Sequence, residues 1–563
     1  MKILGLRIGE PKPKYLDATK PIDHIQQLPN APKRKGRSIE DGLNRQESDG
    51  SSPSSGTSSQ ESADSSTPIV ARTVEELRDV IGGTGSSASN LELKSRILEL
   101  AISDIGMGKY QWFLFVLCGL GWAADNLWLQ GVALILPTSS VVYGVSDQHV
   151  RYATLVLNVG LSLGAISWGF GSDKVGRRLA FNSTLVIAGI FAFLTGNAPN
   201  FIAEAAFLGL LGLGVGGSLP VDGTMFLEFL PHKDRIYLTL LSVWWPIGQV
   251  VASLFAWLFL GSNFEARRGL RLFLYTMGAI TLAMAISRWL FDSIESPKFL
   301  LASNRQAEAV RSVRALAHKN GTKTWLTEEI LNEIGGTAEA TNVVKSSTKV
   351  RVRQAITSFG PETKRQISPL FGNAELGVNT ALLWIIWLCI GIGYPLFNSF
   401  LPQYLKGGNK TESESDTYRN YLIISTAAVP GSLLACYIVN VAGRRIPMAF
   451  ATMIAGVCFF LFTLRDDSSF QLGFGCAASF FQNIMFGILY AYTPETFPGS
   501  SRGTGCGIAH SLNRLGGIIA PLIAANVGAS NPSIPIYVSG CLIIVAFLAM
   551  CCLRIETQNR QSL

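Results

Sequence analysis

Two copies of one charged pattern, set among long apolar segments, constrain this chain more than any other feature of its sequence. Gly-Arg-Arg at 176–178 recurs at 443–445, and Glu-x-x-Pro-x-x-x-Arg at 228–235 recurs at 495–502. Each residue of the second copy follows its counterpart by 267 positions, as 443 follows 176. The constant offset indicates a membrane protein built from two related halves. Many such proteins place a solute site between two bundles that rock against each other, so the repeat favours solute transport over catalysis.

The composition favours lipid as the solvent of this chain. Of the 563 residues, 48% are hydrophobic and 15% are charged, whereas soluble domains carry about a quarter charged residues. A helix needs about 20 apolar residues to cross the hydrocarbon layer. The continuous apolar runs lack the period-2 alternation of a membrane barrel, and lipid requires every backbone polar group to be satisfied internally. We therefore predict an all-α membrane protein with twelve transmembrane helices in two pseudo-symmetric six-helix bundles. The predicted spans, numbered 1 to 12 in chain order, are 111–138, 152–171, 179–196, 200–223, 237–261, 271–291, 377–404, 420–440, 446–464, 470–492, 504–526 and 532–553.

The regions outside the spans differ in composition. Residues 46–68 are Ser-rich and almost free of apolar side chains, which predicts a disordered tail. Residues 91–107 look like an amphipathic helix lying at the bilayer surface. The segment between the halves is expected to hold a surface helix near 306–317 but no convincing core. The predicted domains are a cytoplasmic tail (1–90), an amphipathic lead-in (91–108), the first bundle (109–292), a cytoplasmic linker (293–375), the second bundle (376–553) and a short cytoplasmic tail (554–563).

Loop charges predict the orientation in the membrane. The loops after spans 2, 4, 6, 8 and 10 carry Lys and Arg, whereas the loops after spans 1, 3, 9 and 11 are short and hold few cations. Cationic loops usually stay in the cytoplasm, which places both termini there; the charged loop around Arg267 is an exception on the outer side. The glycosylation sequon at Asn409 would then lie outside. The net charge of +8 arises from these loops, so we expect lipid and a small solute as partners of a monomer, and no nucleic acid.

Neither metal nor enzyme chemistry is indicated by the sequence. The nine cysteines all lie inside predicted spans without zinc-ligand or paired extracellular spacing, so we interpret them as small packing residues. No nucleophile–base pair, metal cluster or phosphate loop is recognisable. We therefore predict no enzyme activity, no metal and no cofactor, with the proton as the coupling ion.

The motifs resemble the major facilitator superfamily over about residues 109–553. The run 169–178 (Gly-x-x-x-Asp-Lys-x-Gly-Arg-Arg) matches the signature of that superfamily between helices 2 and 3. The second copy departs from it, with Cys436 in place of the Gly and Asn440 in place of the Asp. The runs 212–220, 228–235, 295–298 and 492–503 are similar to those of the broad sugar-porter clan.

A second resemblance concerns the branch within that clan. Span 7 lacks the paired-Gln, Gly-x-Asn signature with which hexose porters bind sugar hydroxyls. Residues 122–126 (Trp-Ala-Ala-Asp-Asn) and 513–521 (Asn-Arg-x-Gly-Gly-x-x-x-Pro) resemble instead the synaptic-vesicle-protein-related and organic-ion or aromatic-acid transporters, including many fungal members. The resemblance implies a solute carrier, and its fungal character suggests the plasma membrane.

Two charged residues in the spans are the main candidates for the transport site. Asp125 lies near the middle of span 1, where a carboxylate is costly and usually functional. It could bind a proton on one side of the membrane and release it on the other, or form a permanent ion pair with a basic residue of another helix. Arg514 lies near the middle of span 11, and its planar guanidinium suits a carboxylate. The resemblance implies contact with an anionic substrate; alternatively, Arg514 neutralises Asp125 or Asp222.

Further polar residues of the spans are weaker candidates. Asp222 could lie in a hydrated cytoplasmic vestibule or act in a proton relay. His510 is more simply interpreted as a packing residue than as a proton shuttle. Amide side chains could line the cavity and bind substrate, or could bond one helix to another. These amides are Asn126, Gln130, Gln249, Asn398, Gln482, Asn483 and Asn513.

The repeated charges should lie at the cytoplasmic helix ends. There they could form ion pairs that close an inner gate and break when the halves tilt, or the arginines could serve only as positive-inside anchors. The predicted gate residues are Asp173, Arg177, Arg178, Glu228 and Arg235 in the first half, and Arg444, Arg445, Glu495 and Arg502 in the second.

These observations lead to one functional hypothesis and two alternatives. The hypothesis is a secondary active transporter that couples uptake of a small organic solute, an organic anion or a sugar-like molecule, to protons by alternating access. The first alternative is a proton-driven exporter. The second is a nutrient sensor that binds its ligand without moving it.

Overall fold

The computed structural model describes residues 90–234, 236–335, 367–401, 414–465, 467–497, 502–527 and 533–557. The predicted disordered tail and the sequon at Asn409 lie outside these residues. The described residues fall into two compact units. The smaller unit contains the amphipathic helix and two helices of the linker, and the larger unit contains the spans.

Twelve helices of the described residues are long and apolar enough to cross a membrane. Each overlaps one predicted span, so the prediction of an all-α protein with twelve transmembrane helices is confirmed. Span 4 consists of two consecutive helices, and span 5 of two α-helices joined by a 3-10 turn. In chain order the spans are Lys109–Tyr143, Tyr152–Val175, Arg177–Gly196, Phe201–Val215 with Ser218–Phe229, Ile236–Leu240 with Leu241–Val243 and Trp244–Phe259, Ala266–Leu290, Ala374–Asn398, Glu414–Val441, Arg445–Phe462, Ser468–Thr496, Arg502–Val527 and Ile534–Cys551.

The packing of the spans repeats from one half to the other. Span 1 packs on span 5 as span 7 packs on span 11, and span 2 packs on span 4 as span 8 packs on span 10. Span 3 packs on spans 4 and 6, as span 9 packs on spans 10 and 12. The halves meet through spans 5 and 8 and through spans 2 and 11, and these two pairs are equivalent under the same repeat. The sequence repeat therefore corresponds to two pseudo-symmetric bundles.

Glycine allows spans 2 and 4 to approach closely. A Cβ at Gly216 would lie 2.1 Å from the carbonyl oxygen of Leu161. That oxygen belongs to a helix backbone and cannot turn aside, so the spans could accommodate a larger residue only by separating. The glycines of the run 212–217 therefore serve helix packing, as expected for small residues at membrane helix interfaces.

The helix Asn90–Ile105 corrects two predictions. Its buried apolar side chains include Ile97, Leu98 and Ala101, and it packs on the linker helices Gln306–Asn320 and Glu328–Gly335. The prediction that it lies at the bilayer surface is wrong, because its apolar face packs against protein. The prediction that the linker forms no convincing core is also wrong, because the sequence of the linker alone does not show the helix that completes this core.

A polar chain joins the same helices. The Lys94 ammonium donates to Gln306 Oε1 at 2.7 Å, and Gln306 Nε2 donates to Asn332 Oδ1 at 2.7 Å. Burial lowers the pKa of Lys94 from its ordinary value. The lead-in helix and the linker therefore form one unit through both apolar and polar contacts.

We expect Gly216→Ala to destabilise the protein by about 1 to 3 kcal/mol, because the added methyl group would push spans 2 and 4 apart. Thermal unfolding of the purified protein in detergent measures this change. Gly473→Ala is the control, since a Cβ at Gly473 meets no atom within 4 Å. Equal unfolding temperatures for the two variants would contradict the packing argument.

Candidate functional site

An ion pair joins the two halves in the middle of the larger unit. Arg514 Nη2 of span 11 lies 3.1 Å from Asp125 Oδ1 of span 1, and the two side chains are 13% and 3% exposed. Of the partners considered for Arg514, the structure selects Asp125. An attraction between buried charges is strong, and each charge would be costly without the other.

The ion pair lies in the wall of a cavity between the halves. The cavity encloses about 840 Å³ of empty space, part of it open to solvent. Most of the predicted site residues line it: Asp125, Asn126, Gln130, Gln249, Asn398, Asn483, Asn513 and Arg514. Gln482 lies behind this wall, where its Oε1 accepts a hydrogen bond from Asn398 Nδ2 at 3.3 Å.

Amide side chains form a second polar bridge between the halves. Gln249 Nε2 of span 5 donates to Asn126 Oδ1 of span 1 at 3.1 Å and to the Tyr394 hydroxyl of span 7 at 2.5 Å. Spans 1 and 5 belong to the first half and span 7 to the second. A charged contact and a neutral polar contact therefore join the halves in the cavity wall.

Aromatic rings form much of the remaining wall. Trp245 and Tyr490 have ring centroids 4.5 Å apart, and Tyr394 and Phe486 have centroids 5.2 Å apart, both pairs edge to face. All four residues line the cavity. Sequence analysis did not find them, because aromatic residues are common in apolar spans and carry no signal of their own. His510 contacts the rings of Trp387 and Tyr490, which fits a packing role.

Asp222 does not line the cavity. It forms an ion pair with Arg288 of span 6 at 2.5 Å, and both side chains are fully buried. The prediction that it lies in a hydrated vestibule is therefore wrong. The reason is Arg288, which sequence analysis missed although it is a cation in the last turn of an apolar span.

Arg288 connects most of the first half. Its Nη1 donates to the Phe181 carbonyl oxygen of span 3 at 2.8 Å, and its Nη2 donates to the Leu117 carbonyl oxygen of span 1 at 3.0 Å. Gly121 leaves the room for the pair, since a Cβ there would lie 1.8 Å from Asp222 Oδ2. The buried pair thus joins spans 1, 3, 4 and 6.

The repeated charges form ion pairs within each half. Arg177 Nε lies 3.1 Å from Glu228 Oε1, and the Arg444 guanidinium binds both carboxylate oxygens of Glu495 at 3.1 Å. We expected ion pairs that break when the halves tilt, but these pairs join residues of one half. They do so because neighbouring spans of the same bundle place the charges at adjacent helix ends. Arg178 lies 3.9 Å from Asp292, also in the first half.

Two further glutamates complete these clusters. Glu295 Oε1 accepts hydrogen bonds from the backbone N–H groups of Arg177 and Arg178 at 3.0 and 3.2 Å. Glu556 accepts from the backbone N–H groups of Arg444 and Arg445 at 3.1 and 3.2 Å. Each carboxylate satisfies N–H groups at a helix start that have no partner within the helix.

The sequence contains a pattern that could have identified the two glutamates that bind these helix starts. Each of these two glutamates follows the last span of its half by five residues, Glu295 after Leu290 and Glu556 after Cys551.

Of the other predicted gate residues, Arg235 lies outside the described residues, as do the side chains of Asp173 and Arg502.

Known proteins resemble the chain along most of its length. Residues 134–562 match the family model described as "Sugar (and other) transporter". An uncharacterized MFS-type transporter of Schizosaccharomyces pombe is 40% identical, covering 83% of this chain and 89% of its own. The chain belongs to the major facilitator superfamily.

Other comparisons agree with this membership. The MFS siderochrome iron transporter 1 of Ceriporiopsis subvermispora is 39% identical, covering 84% of this chain and 92% of its own. The proton:xylose symporter XylE, solved with 6-bromo-6-deoxy-D-glucose, superposes with a TM-score of 0.60 at 15% identity, covering 80% of this chain and 98% of its own. At this low identity, the likeness to the XylE structure shows the fold alone. The protein is thus a multi-pass member of a transporter superfamily and not an enzyme.

Removing Arg288 alone should destabilise the protein far more than removing the whole pair. Arg288→Met leaves Asp222 as a buried, uncompensated charge, which costs about 3 to 5 kcal/mol. In Arg288→Met with Asp222→Leu, no such charge remains, and we expect to recover most of this loss. Thermal unfolding in detergent measures both variants and the Asp222→Leu single change. If the two single effects simply add in the double variant, the residues do not act as a pair.

Proposed function

We propose that the chain is a proton-coupled symporter of a small organic solute, an organic anion or a sugar-like molecule, that works by alternating access. The observation that carries this proposal is the Asp125–Arg514 ion pair, which joins the two halves in the wall of the cavity. The proposal also puts the protein in the plasma membrane with both termini in the cytoplasm, the orientation that its loop charges favour.

Competition for the ion pair supplies the coupling. When Asp125 binds a proton it becomes neutral, and Arg514 loses its partner. The guanidinium then needs another anion, which a solute carboxylate can supply through two parallel hydrogen bonds. If Asp125 bound a proton while no solute was present, the charge of Arg514 would be buried without a partner, which is costly. Proton and solute therefore favour each other's binding, as linkage requires for symport.

Contacts at the opposite end from the charge clusters support the alternation of access. The Tyr418 hydroxyl of span 8 donates to the Leu134 carbonyl oxygen of span 1 at 3.2 Å, and Trp257 Nε1 of span 5 donates to Ser415 Oγ of span 8 at 3.1 Å. Arg151, which directly precedes span 2, donates to the Ala524 carbonyl oxygen of span 11. All three contacts join the halves. Breaking them would open the seam at that end by rotation of one bundle against the other.

The proposal gives Asp125→Asn a specific defect. The asparagine cannot carry a proton, so solute accumulation driven by a pH gradient should fall to the level of protonophore-treated vesicles, while exchange of solute for solute persists. Uptake into proteoliposomes, screened with monocarboxylates, aromatic acids, sugars and organic cations, measures both activities. Asp416→Asn is the control, because this carboxylate lies outside the cavity and pairs with Arg419. Concentrative uptake by Asp125→Asn would refute proton coupling at this residue.

The same vesicles separate the alternatives. An exporter would accumulate solute only in vesicles of the opposite orientation under the same gradient. A sensor would bind a solute from the screen, seen as a raised unfolding temperature, without any flux. Flux into right-side-out vesicles with an inward proton gradient is the outcome that the proposal predicts.

A further inference from the structure

The indole N–H of Trp245, in span 5, lies in the cavity wall and has no hydrogen-bond partner. Trp245 is only 7% exposed. A buried donor without an acceptor costs free energy comparable to a lost hydrogen bond. Such a group in a cavity indicates where a bound molecule has to supply an acceptor.

Several nearby acceptors are already bound. Asp125 Oδ1 is paired with Arg514, and Asn126 Oδ1 and the Tyr394 hydroxyl accept from Gln249. Asn483 Oδ1 accepts from Ser432 Oγ at 3.4 Å. Among the described residues that line the cavity, none has a buried oxygen that lacks a partner. The unmet hydrogen-bonding capacity of the buried wall is therefore that of a donor.

The remaining wall suits a flat apolar body. The indole of Trp245 lies edge to face with the ring of Tyr490, and Tyr394 lies edge to face with Phe486. Aromatic rings contribute large contact areas and pack well against other rings. Arg514, which adds the positive charge, lies in the same wall.

We propose that the substrate is an organic monoanion with a flat, ring-shaped body that carries a hydrogen-bond acceptor apart from its carboxylate. The carboxylate binds Arg514, and the second acceptor binds Trp245 Nε1. This inference rests on the proposed function, whose solute it narrows from organic anions and sugar-like molecules to one chemical class. Organic cations are disfavoured as substrates for two reasons. Asp125, which could attract a cation, is already paired with Arg514, and the unpartnered N–H of Trp245 is a donor that a cation without an acceptor cannot satisfy.

Three matched probes test the chemical class. 4-Acetylbenzoate has the carboxylate, the ring and a carbonyl acceptor, and 4-isopropylbenzoate has the same shape without the acceptor. The N,N,N-trimethylanilinium ion replaces the anion by a cation. Binding to the purified protein in detergent, measured by calorimetry, should be about tenfold tighter for 4-acetylbenzoate than for 4-isopropylbenzoate, with no binding of the cation. Equal affinities of the two anions, tighter binding of the cation, or no binding of any probe would overturn the inference.

One variant tests the donor itself. Trp245→Phe keeps an aromatic wall and removes the N–H. It should reduce the preference for 4-acetylbenzoate over 4-isopropylbenzoate to less than about threefold, mainly by weakening the binding of 4-acetylbenzoate. Trp128→Phe is the control, because Trp128 Nε1 already donates to Thr281 Oγ1 at 3.0 Å and the residue does not line the cavity. A preference that survives Trp245→Phe, or an equal loss for both anions, contradicts the assigned role.

Binding and transport distinguish this inference from the proposed function. A clear preference for 4-acetylbenzoate in detergent without uptake into proteoliposomes supports the substrate class and refutes the transport mechanism. Proton-driven uptake of sugars or cations, without the preference among the anions, supports coupled transport and refutes the class.

Discussion

A buried ion pair between two bundles is the interaction on which this account depends. Asp125 and Arg514 are both largely shielded from water and belong to different halves. Neither charge is stable alone in a membrane interior, so each state of the protein must provide both with a partner. A proton for the carboxylate and an anion for the guanidinium are the partners that a solute carrier can exchange. The ion pair therefore connects the architecture of the seam with the chemistry of coupling.

The helix packing is repeated in the two halves, but the charged residues inside the membrane are not. Helix packing and the Arg–Glu clusters at the helix ends occur in both halves. The charges inside the membrane occur once. At the same 267-residue offset, Asp125 and Arg514 correspond to Ile392 and Ile247, and Asp222 and Arg288 correspond to Leu489 and Ile555. The repeat thus produces two bundles that can each move as a rigid body, and the charges that are not repeated give the two ion pairs different roles. The Asp222–Arg288 pair holds the first bundle together, while the Asp125–Arg514 pair joins it to the second.

The sequence predicted the twelve helices and the two halves well, because a chain in lipid can adopt few backbone structures. Continuous apolar runs can only form helices there, and a constant offset between charged motifs implies equivalent halves. It also predicted Asp125, Arg514 and most amides of the cavity, because polar residues stand out in apolar spans. It named Asp125 and Asp222 as possible partners of Arg514 but did not choose between them. The sequence could not show that Asp222 binds Arg288 instead of water, since that contact depends on how span 6 packs. Nor could it identify Trp245 as part of the wall, since aromatic residues also face lipid.

The central claim is that solute binding and protonation of Asp125 are one event. The most direct measurement is the number of protons taken up per molecule of solute bound, recorded in weakly buffered detergent solution with a solute identified by the uptake screen. The account predicts about one proton per solute for the natural protein, and none for Asp125→Asn. Binding without proton uptake in the natural protein, or the same proton uptake in Asp125→Asn, would contradict it.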